Sequence, residues 1–138
     1  MIENLISEAK SFVKSRFADT TWKGAAAILC KDGEILISTS PETVNESVSL
    51  CHETGGICEA YKKGKQVALS VCISFDDKEK CHILSPCGVC QERLWFWGGG
   101  VEVAVPQGSD STKAMTITLD NLSPHYWRRP FMPPGGEI

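Results

Sequence analysis

The sequence contains no run of basic residues, no long apolar stretch and no internal repeat. Its densest cationic cluster, Lys62-Lys63-Gly64-Lys65, is short, and the formal net charge is −3. Affinity for a phosphate backbone rests on many Lys and Arg contacts, so a nucleic-acid partner is not expected, and the cluster reads as the cationic end of a helix. No stretch approaches the roughly 20 apolar residues of a membrane span, and no membrane partner is expected. Residues 1–17 alternate apolar with charged groups and lack the unbroken apolar core of a signal peptide. No Pro-, Gly- or Ser-rich linker divides the chain. A single domain over 1–138 is therefore expected, large enough to bury roughly 70% of its unfolded surface. Cysteine, by contrast, is abundant: Cys30, Cys51, Cys58, Cys72, Cys81, Cys87 and Cys90. The odd number and the missing secretory pattern predict a cytoplasmic protein with reduced thiols. Neighbouring cysteines then bind metal or react rather than pair as disulfides.

Residues 2–17 place Ile2, Leu5, Ile6, Ala9, Phe12, Val13 and Phe17 at three- and four-residue steps, which predicts an amphipathic helix packed on a sheet. Residues 24–30 and 34–38 are apolar runs separated by Lys31-Asp32-Gly33, a hairpin signature. The polar residues 39–50 read as a loop, 51–63 as a helix, 67–75 as a buried strand and 76–82 as a charged turn. A third helix over roughly 87–97 ends at Gly98-Gly99-Gly100, and strands follow at 101–105 and 114–119. Residues 120–127 read as a short turn or helix and 130–138 as an extended tail. The alternation of helices and strands predicts an α/β fold, three layers with helices on both faces of one five-stranded mixed sheet. Cys30, Cys58 and Cys72 lie in apolar elements and read as inert core thiols. Gly55-Gly56 costs about 1 kcal/mol per glycine inside a helix, which suggests a close approach to a neighbour or to substrate.

Two stretches carry chemistry: Cys51-His52-Glu53 and Pro86-Cys87-Gly88-Val89-Cys90. Cys87 and Cys90 share one face of a helical first turn, which Pro86 suits because its missing N–H needs no partner there. Cys51 also falls at an expected helix start, where free N–H groups and the dipole favour a thiolate. A catalytic zinc keeps three protein ligands and one open position. Glu53, two residues beyond Cys51, would stand close to such a metal and carry protons for a water activated on it. This order of residues is the zinc-deaminase signature. Two other readings account for fewer of these residues. A structural zinc using His52 or His82 as fourth ligand has no use for Glu53. A thioredoxin-like role for Cys87 and Cys90 leaves Cys51 and Glu53 unexplained. A non-catalytic, zinc-stabilised binding module is the alternative from a different functional class.

With these residues in place, most of the chain resembles the small cytidine deaminases and the related blasticidin S deaminases. Gly24-Ala25-Ala26 with Lys31-Asp32-Gly33 resembles the family's first hairpin, and Cys51-His52-Glu53 takes the place of its Cys-Ala-Glu. Residues 85–92 (SPCGVCQE) resemble its Pro-Cys-Gly-x-Cys-Arg-Gln, and 119–127 (LDNLSPHYW) its C-terminal Glu-Glu-Leu-Leu-Pro segment. The resemblance implies a cytidine-deaminase-like α/β/α fold and hydrolytic deamination of a cytosine nucleoside or cytosine-bearing analogue. It implies one zinc per chain on Cys51, Cys87 and Cys90, with Glu53 as proton shuttle. It further implies that Glu42 contacts the ribose, that Trp127 lies near a site-closing aromatic, and that the protein is a homotetramer. The departures cluster where substrate would bind. Ser40 replaces an Asn that contacts the sugar, Thr21-Trp22-Lys23 replaces Phe-x-Val, and His52 replaces a small alanine whose N–H meets the base. Thr54 and Gln91 replace arginines that balance thiolate charge.

Overall fold

The computed structural model describes residues 1–131. In chain order the elements are α1 (Ile2–Arg16), β1 (Gly24–Cys30), β2 (Ile35–Ser38), α2 (Thr54–Lys62), β3 (Val67–Phe75), β4 (Cys81–Leu84), α3 (Gly88–Leu94), β5 (Glu102–Gln107), β6 (Asp110–Thr118) and α4 (Leu119–Leu122). Short 3-10 turns add Glu46–Val48, Trp95–Trp97 and Arg129–Phe131. The strands form one mixed sheet in the order β2-β1-β3-β5-β6, with β4 beside the outer half of β3. The β3–β5 pair is parallel; the other pairs are antiparallel.

The period-2 alternation of the strands sorts their side chains between two cores. On one face, Leu5, Ala9 and Val13 of α1 pack against Ala25, Ala27, Val71 and Ile73. On the other, Ile57 and Ala60 of α2 and Cys90, Leu94 and Trp95 from α3 and its end pack against Ile28, Cys30, Val103 and Val105. Helices thus cover both faces, giving the expected three layers. Each fully buried Leu, Ile or Val contributes roughly 1.5–3 kcal/mol, so both helical layers are held mainly by apolar burial.

Several boundaries differ from expectation. A sixth strand, β4, lies in and beyond the segment expected to be a charged turn; it is four residues long and only Ile83 is buried, so it carries little apolar signal. Asp76 builds the turn before it, its Oδ1 accepting the N–H groups of Lys78 and Lys80 at 2.8 and 2.9 Å. β6 begins at Asp110 rather than residue 114, because its first residues are polar and mostly exposed. The β5–β6 hairpin turns through Gly108 at φ +59, where a side chain would be strained. α2 starts at Thr54 rather than 51, because Cys51-His52-Glu53 forms a turn closed by Thr54 N–H to Cys51 O at 3.1 Å. α3 starts at Gly88 and tightens to a 3-10 turn over Trp95–Trp97. Of the tail expected over 130–138, Pro130 and Phe131 lie in the Arg129–Phe131 turn rather than in extended chain, and residues 132–138 lie outside the described residues. No helix among the described residues is long and apolar enough to cross a membrane.

Candidate metal centre and active site

Cys51 precedes α2, Cys87 occupies the N-cap of α3 and Cys90 lies in its first turn. The three sulfurs lie within 4.8 Å of one another, with Cys51 Sγ and Cys87 Sγ 3.2 Å apart. A zinc with Zn–S bonds of about 2.3 Å sets tetrahedral sulfurs about 3.8 Å apart, so the three thiols fit one zinc ion and leave a fourth position. No further His, Cys, Asp or Glu joins this group among the described residues. Both candidate fourth ligands are engaged elsewhere. His52 Nδ1 accepts the Ser40 N–H at 3.1 Å. His82 lies 2.7 Å from both Asp76 Oδ2 and Ser111 Oγ.

The local electrostatics suit thiolate ligands unevenly. Burial raises the Cys51 thiol, and the neighbouring Cys87 thiol adds to it. Burial also raises Cys90, reinforced by the Glu53 carboxyl. Burial pushes Cys87 up as well, but the N–H groups of Cys90 and Val89 and the Cys51 thiol outweigh it, and Cys87 ends below its ordinary value. Cys87 is also the exposed member of the cluster, so it is the first thiolate available to a metal.

Glu53 is 4% exposed and stands at the N-cap of α2, yet its carboxyl caps nothing. Ser38, at the end of β2, does that work instead. Its Oγ accepts the Gly56 N–H at 2.9 Å and donates to His52 O at 2.6 Å. An N-cap side chain ordinarily takes this third N–H of the helix. With Ser38 in that role, the Glu53 carboxyl is left free beside the Cys72 and Cys90 thiols, both of which act to lower its pKa. Burial dominates its titration and raises it above the ordinary carboxylate value. The glycine pair makes this approach possible: a Cβ on Gly55 would lie 2.8 Å from Ser38 Cβ, and one on Gly56 2.9 Å from Ile28 Cδ1.

Of the three thiols expected in the core, Cys30 and Cys72 are there and Cys58 is not. Burial pushes the Cys30 and Cys72 thiols up, whereas Cys58 is exposed on α2, and Cys72 lies on the same face of the sheet as Glu53. The pattern Ser70-Val71-Cys72-Ile73-Ser74 carries the signal for Cys72. Val71 and Ile73 belong to the α1 core, so Cys72 must face the other way, toward α2 and α3.

Beside the thiol cluster lies a cleft of about 870 Å³ whose lining includes Phe17, Trp22, Lys23, Gly24, Ser40, Glu42 and His52. His52 thus links the two, with Cys51 and Glu53 as its chain neighbours. Its ring is held by Ser40, whose Oγ is also 3.0 Å from Nδ1, and burial lowers its basicity. With Nδ1 accepting the Ser40 N–H, the neutral ring carries its proton on Nε2. Glu42 lies on the outer wall, ion-paired with Lys23. Trp127 is not brought here. It is exposed, and its Nε1 donates to Glu92 Oε1 on α3 at 2.8 Å, where Tyr126 Oη and Arg128 also bind that carboxylate. The two replaced arginine positions have new partners. Thr54 Oγ1 receives Arg93 at 2.9 Å, and Gln91 Nε2 donates to Pro86 O at 3.0 Å.

Fold and donor set together define a zinc-centred α/β/α protein. No protein-family model matches the chain. Among solved structures, the cytidine deaminase from Bacillus anthracis superposes with a TM-score of 0.86 at 37% identity, covering 94% of this chain and 91% of that one. The cytidine deaminase from Burkholderia pseudomallei covers 92% of this chain and 99% of that one, with a TM-score of 0.67; at 18% identity it shows the fold alone. Among curated proteins, the cytidine deaminase of Halalkalibacterium halodurans is 27% identical over 67 residues, 49% of this chain. That match spans about half the curated relative's length, 48%. The chain belongs to the cytidine deaminase family.

Proposed function

We propose that the protein is a hydrolytic deaminase of a cytosine nucleoside or cytosine-bearing analogue, of cytidine, deoxycytidine or blasticidin S type. Water replaces the 4-amino group, giving the uracil form and ammonia. The observation that carries this reading is the buried Glu53 carboxyl, freed from capping by Ser38 and held against the thiol cluster. Zinc on Cys51, Cys87 and Cys90 would supply Lewis-acid activation of water at the fourth position.

The chain's own groups do the rest. Glu53 takes one proton from the attacking water and gives it to the ring nitrogen, then takes the second from the new C4 hydroxyl and gives it to the amine, which leaves as ammonia while the C4 oxygen becomes the carbonyl. A carboxyl whose burial raises its pKa is suited to holding that proton between the two steps. Cys72, from β3, is the further thiol whose presence beside the carboxyl acts to lower its pKa. Ser40, Glu42 and His52 line the neighbouring cleft, which we take as the side from which substrate approaches. Trp22, Val44, Val48 and Leu50 lie exposed around or near the cleft mouth, and Trp127 is exposed on the α3 side. This supports a homo-oligomer, a tetramer by resemblance, in which Trp127 meets a neighbouring copy rather than its own cleft. We further read the chain as one cytoplasmic domain.

The test is zinc per chain together with ammonia release from cytidine, deoxycytidine and blasticidin S. Stoichiometric zinc with turnover of at least one is expected. A zinc-loaded, folded protein that turns over no cytosine compound would instead be the non-catalytic binding module. Light scattering reads the assembly state.

A further inference from the structure

The cleft beside His52 contains charged groups that the deamination chemistry does not use. Lys23 and Arg16 both lie against the Phe17 ring, with Nζ 5.3 Å and the guanidinium carbon 4.9 Å from its centroid. The Lys23 side chain is 25% exposed, whereas that of its partner Glu42 is 80% exposed. An ion pair with so exposed a member contributes little, and Glu42 can turn to water at small cost. Lys23 has no such freedom, because its stem is packed at the start of β1. Arg16 has no carboxylate partner among the described residues. Of the four charged groups lining the cleft, Arg16, Glu42 and Glu46 are exposed and Lys23 is half-buried, so the charge held in place is the Lys23 cation and both carboxylates can turn to water.

The positions that resemblance would set against a ribose are already engaged. Ser40 gives its N–H to His52 Nδ1 and holds its Oγ 3.0 Å from the same atom. Glu42 is on Lys23. A neutral sugar hydroxyl could add a contact to Glu42 but brings no charge to Lys23. An acidic group would displace only Glu42 and restore the pair. Trp22 adds an apolar wall: it is 69% exposed at the cleft and held at φ +59, rare for a bulky residue, by its N–H to Phe75 O at 3.0 Å.

Resting on the deaminase reading, we infer that the substrate is an N1-substituted cytosine whose substituent is acidic, a carboxylate or a phosphate. Lys23 binds the acid in place of Glu42, Arg16 adds a second cation, and Trp22 covers the apolar part between acid and base. The base points past His52 toward the thiols.

Calorimetry with uracil compounds, which cannot be deaminated, tests this on the zinc-loaded protein. The probes are uridine, uridine 5′-monophosphate, 1-(carboxymethyl)uracil and 1-(2-aminoethyl)uracil. At least one acidic probe is expected to bind about tenfold tighter than uridine, the scale of a charge-assisted contact. The phosphate and carboxylate arms decide which acid it is. Lys23→Met should erase the preference, and Glu42→Gln, which removes the competing carboxylate, should strengthen it. Melting curves report whether Lys23→Met folds; if it does not, Glu42→Gln carries the test alone. Equal or better binding of uridine, or tighter binding of the aminoethyl compound, overturns the inference. So does a preference unchanged in both variants. Turnover of cytidine without any acidic preference would sink this inference and spare the deaminase reading. Binding of acids through Lys23 without turnover of any cytosine compound would do the reverse.

Discussion

At the thiol end of the site, Cys51, Glu53, Cys87 and Cys90 hang from two helix starts that are packed on the sheet. At the cleft end, Ser40 and Glu42 hang from the loop after β2, and Lys23 from the link between α1 and β1. In the first set Cys90, 0% exposed, and Glu53, 4% exposed, are positioned by burial, while Cys51 and Cys87 are positioned by the turns that start α2 and α3. The second set is positioned by pairing, Ser40 on His52 and Glu42 on Lys23. Packed groups hold one geometry, while paired polar groups exchange partners with ligand at small cost. Chemistry common to a family belongs on the first kind of support and substrate choice on the second.

The largest effect should come from removing the one group at the thiol end that is not a ligand. Glu53→Gln keeps size and burial but cannot shuttle protons, so kcat should fall about a thousandfold. Zinc content and melting temperature should stay near those of the parent. Activity that survives the change would take Glu53 out of the chemistry. A fall matched by zinc loss would make it a structural support.

Next in size is a steric contrast between the ends. A Cβ on Gly24, in the cleft, would lie 2.3 Å from Ile73 O and 2.7 Å from His52 Nε2. A Cβ on Gly88, beside Cys87, meets nothing within 4 Å. Gly24→Ala should therefore cost about 1–3 kcal/mol in urea unfolding, with Gly88→Ala changing little. Equal losses would show that the backbone at Gly24 yields to the added methyl despite its contacts with Ile73 and His52.

Ser38→Ala probes the link between the two. It removes a cap worth about 1 kcal/mol. It also leaves the Gly56 N–H for Glu53 to claim, drawing the carboxyl away from Cys72 and Cys90. Turnover should then fall more than stability alone explains, with zinc affinity unchanged. Unchanged turnover would mean that Glu53 is held by its thiol contacts without help from Ser38.

The same contrast explains what could be read from residue order. Three thiols and a carboxylate announce themselves because metal chemistry restricts both residue type and spacing. The three-layer order was legible because α1, β1 and β3 carry apolar periodicity. β4 and the first half of β6 were not, since their side chains are mostly exposed and they exist by backbone pairing with the preceding strand rather than by apolar burial. Ser38 was missed because trans-capping joins residues 18 apart, and only the glycine pair opposite hinted at it. Cys58 was misplaced among the core thiols, since an apolar segment does not say which face of its helix points outward. The Lys23–Glu42 pair left no local pattern at all, being a contact between two loops.

The smallest effect lies at the β3–β4 turn, away from the thiols and from the cleft lining. Asp76 is held at a pKa of about 2, against an ordinary 3.8, chiefly by the hydrogen bond from His82 and then by the Lys80 N–H. A carboxylate depressed in the folded state stabilises fully above its unfolded pKa, and that contribution is lost as pH falls through the folded one. The window is therefore about pH 4 down to about pH 2. Asp76→Asn should flatten the pH dependence of stability within that window, measured by urea titration at closely spaced pH values. Since His82 also accepts from or donates to Ser111 on β6, the variant loosens β4 from β6 as well as the turn. Zinc content and substrate preference should be untouched at neutral pH, because Asp76 supports neither end. A change in substrate preference would instead join this turn to the cleft, through the Phe75 carbonyl that holds Trp22.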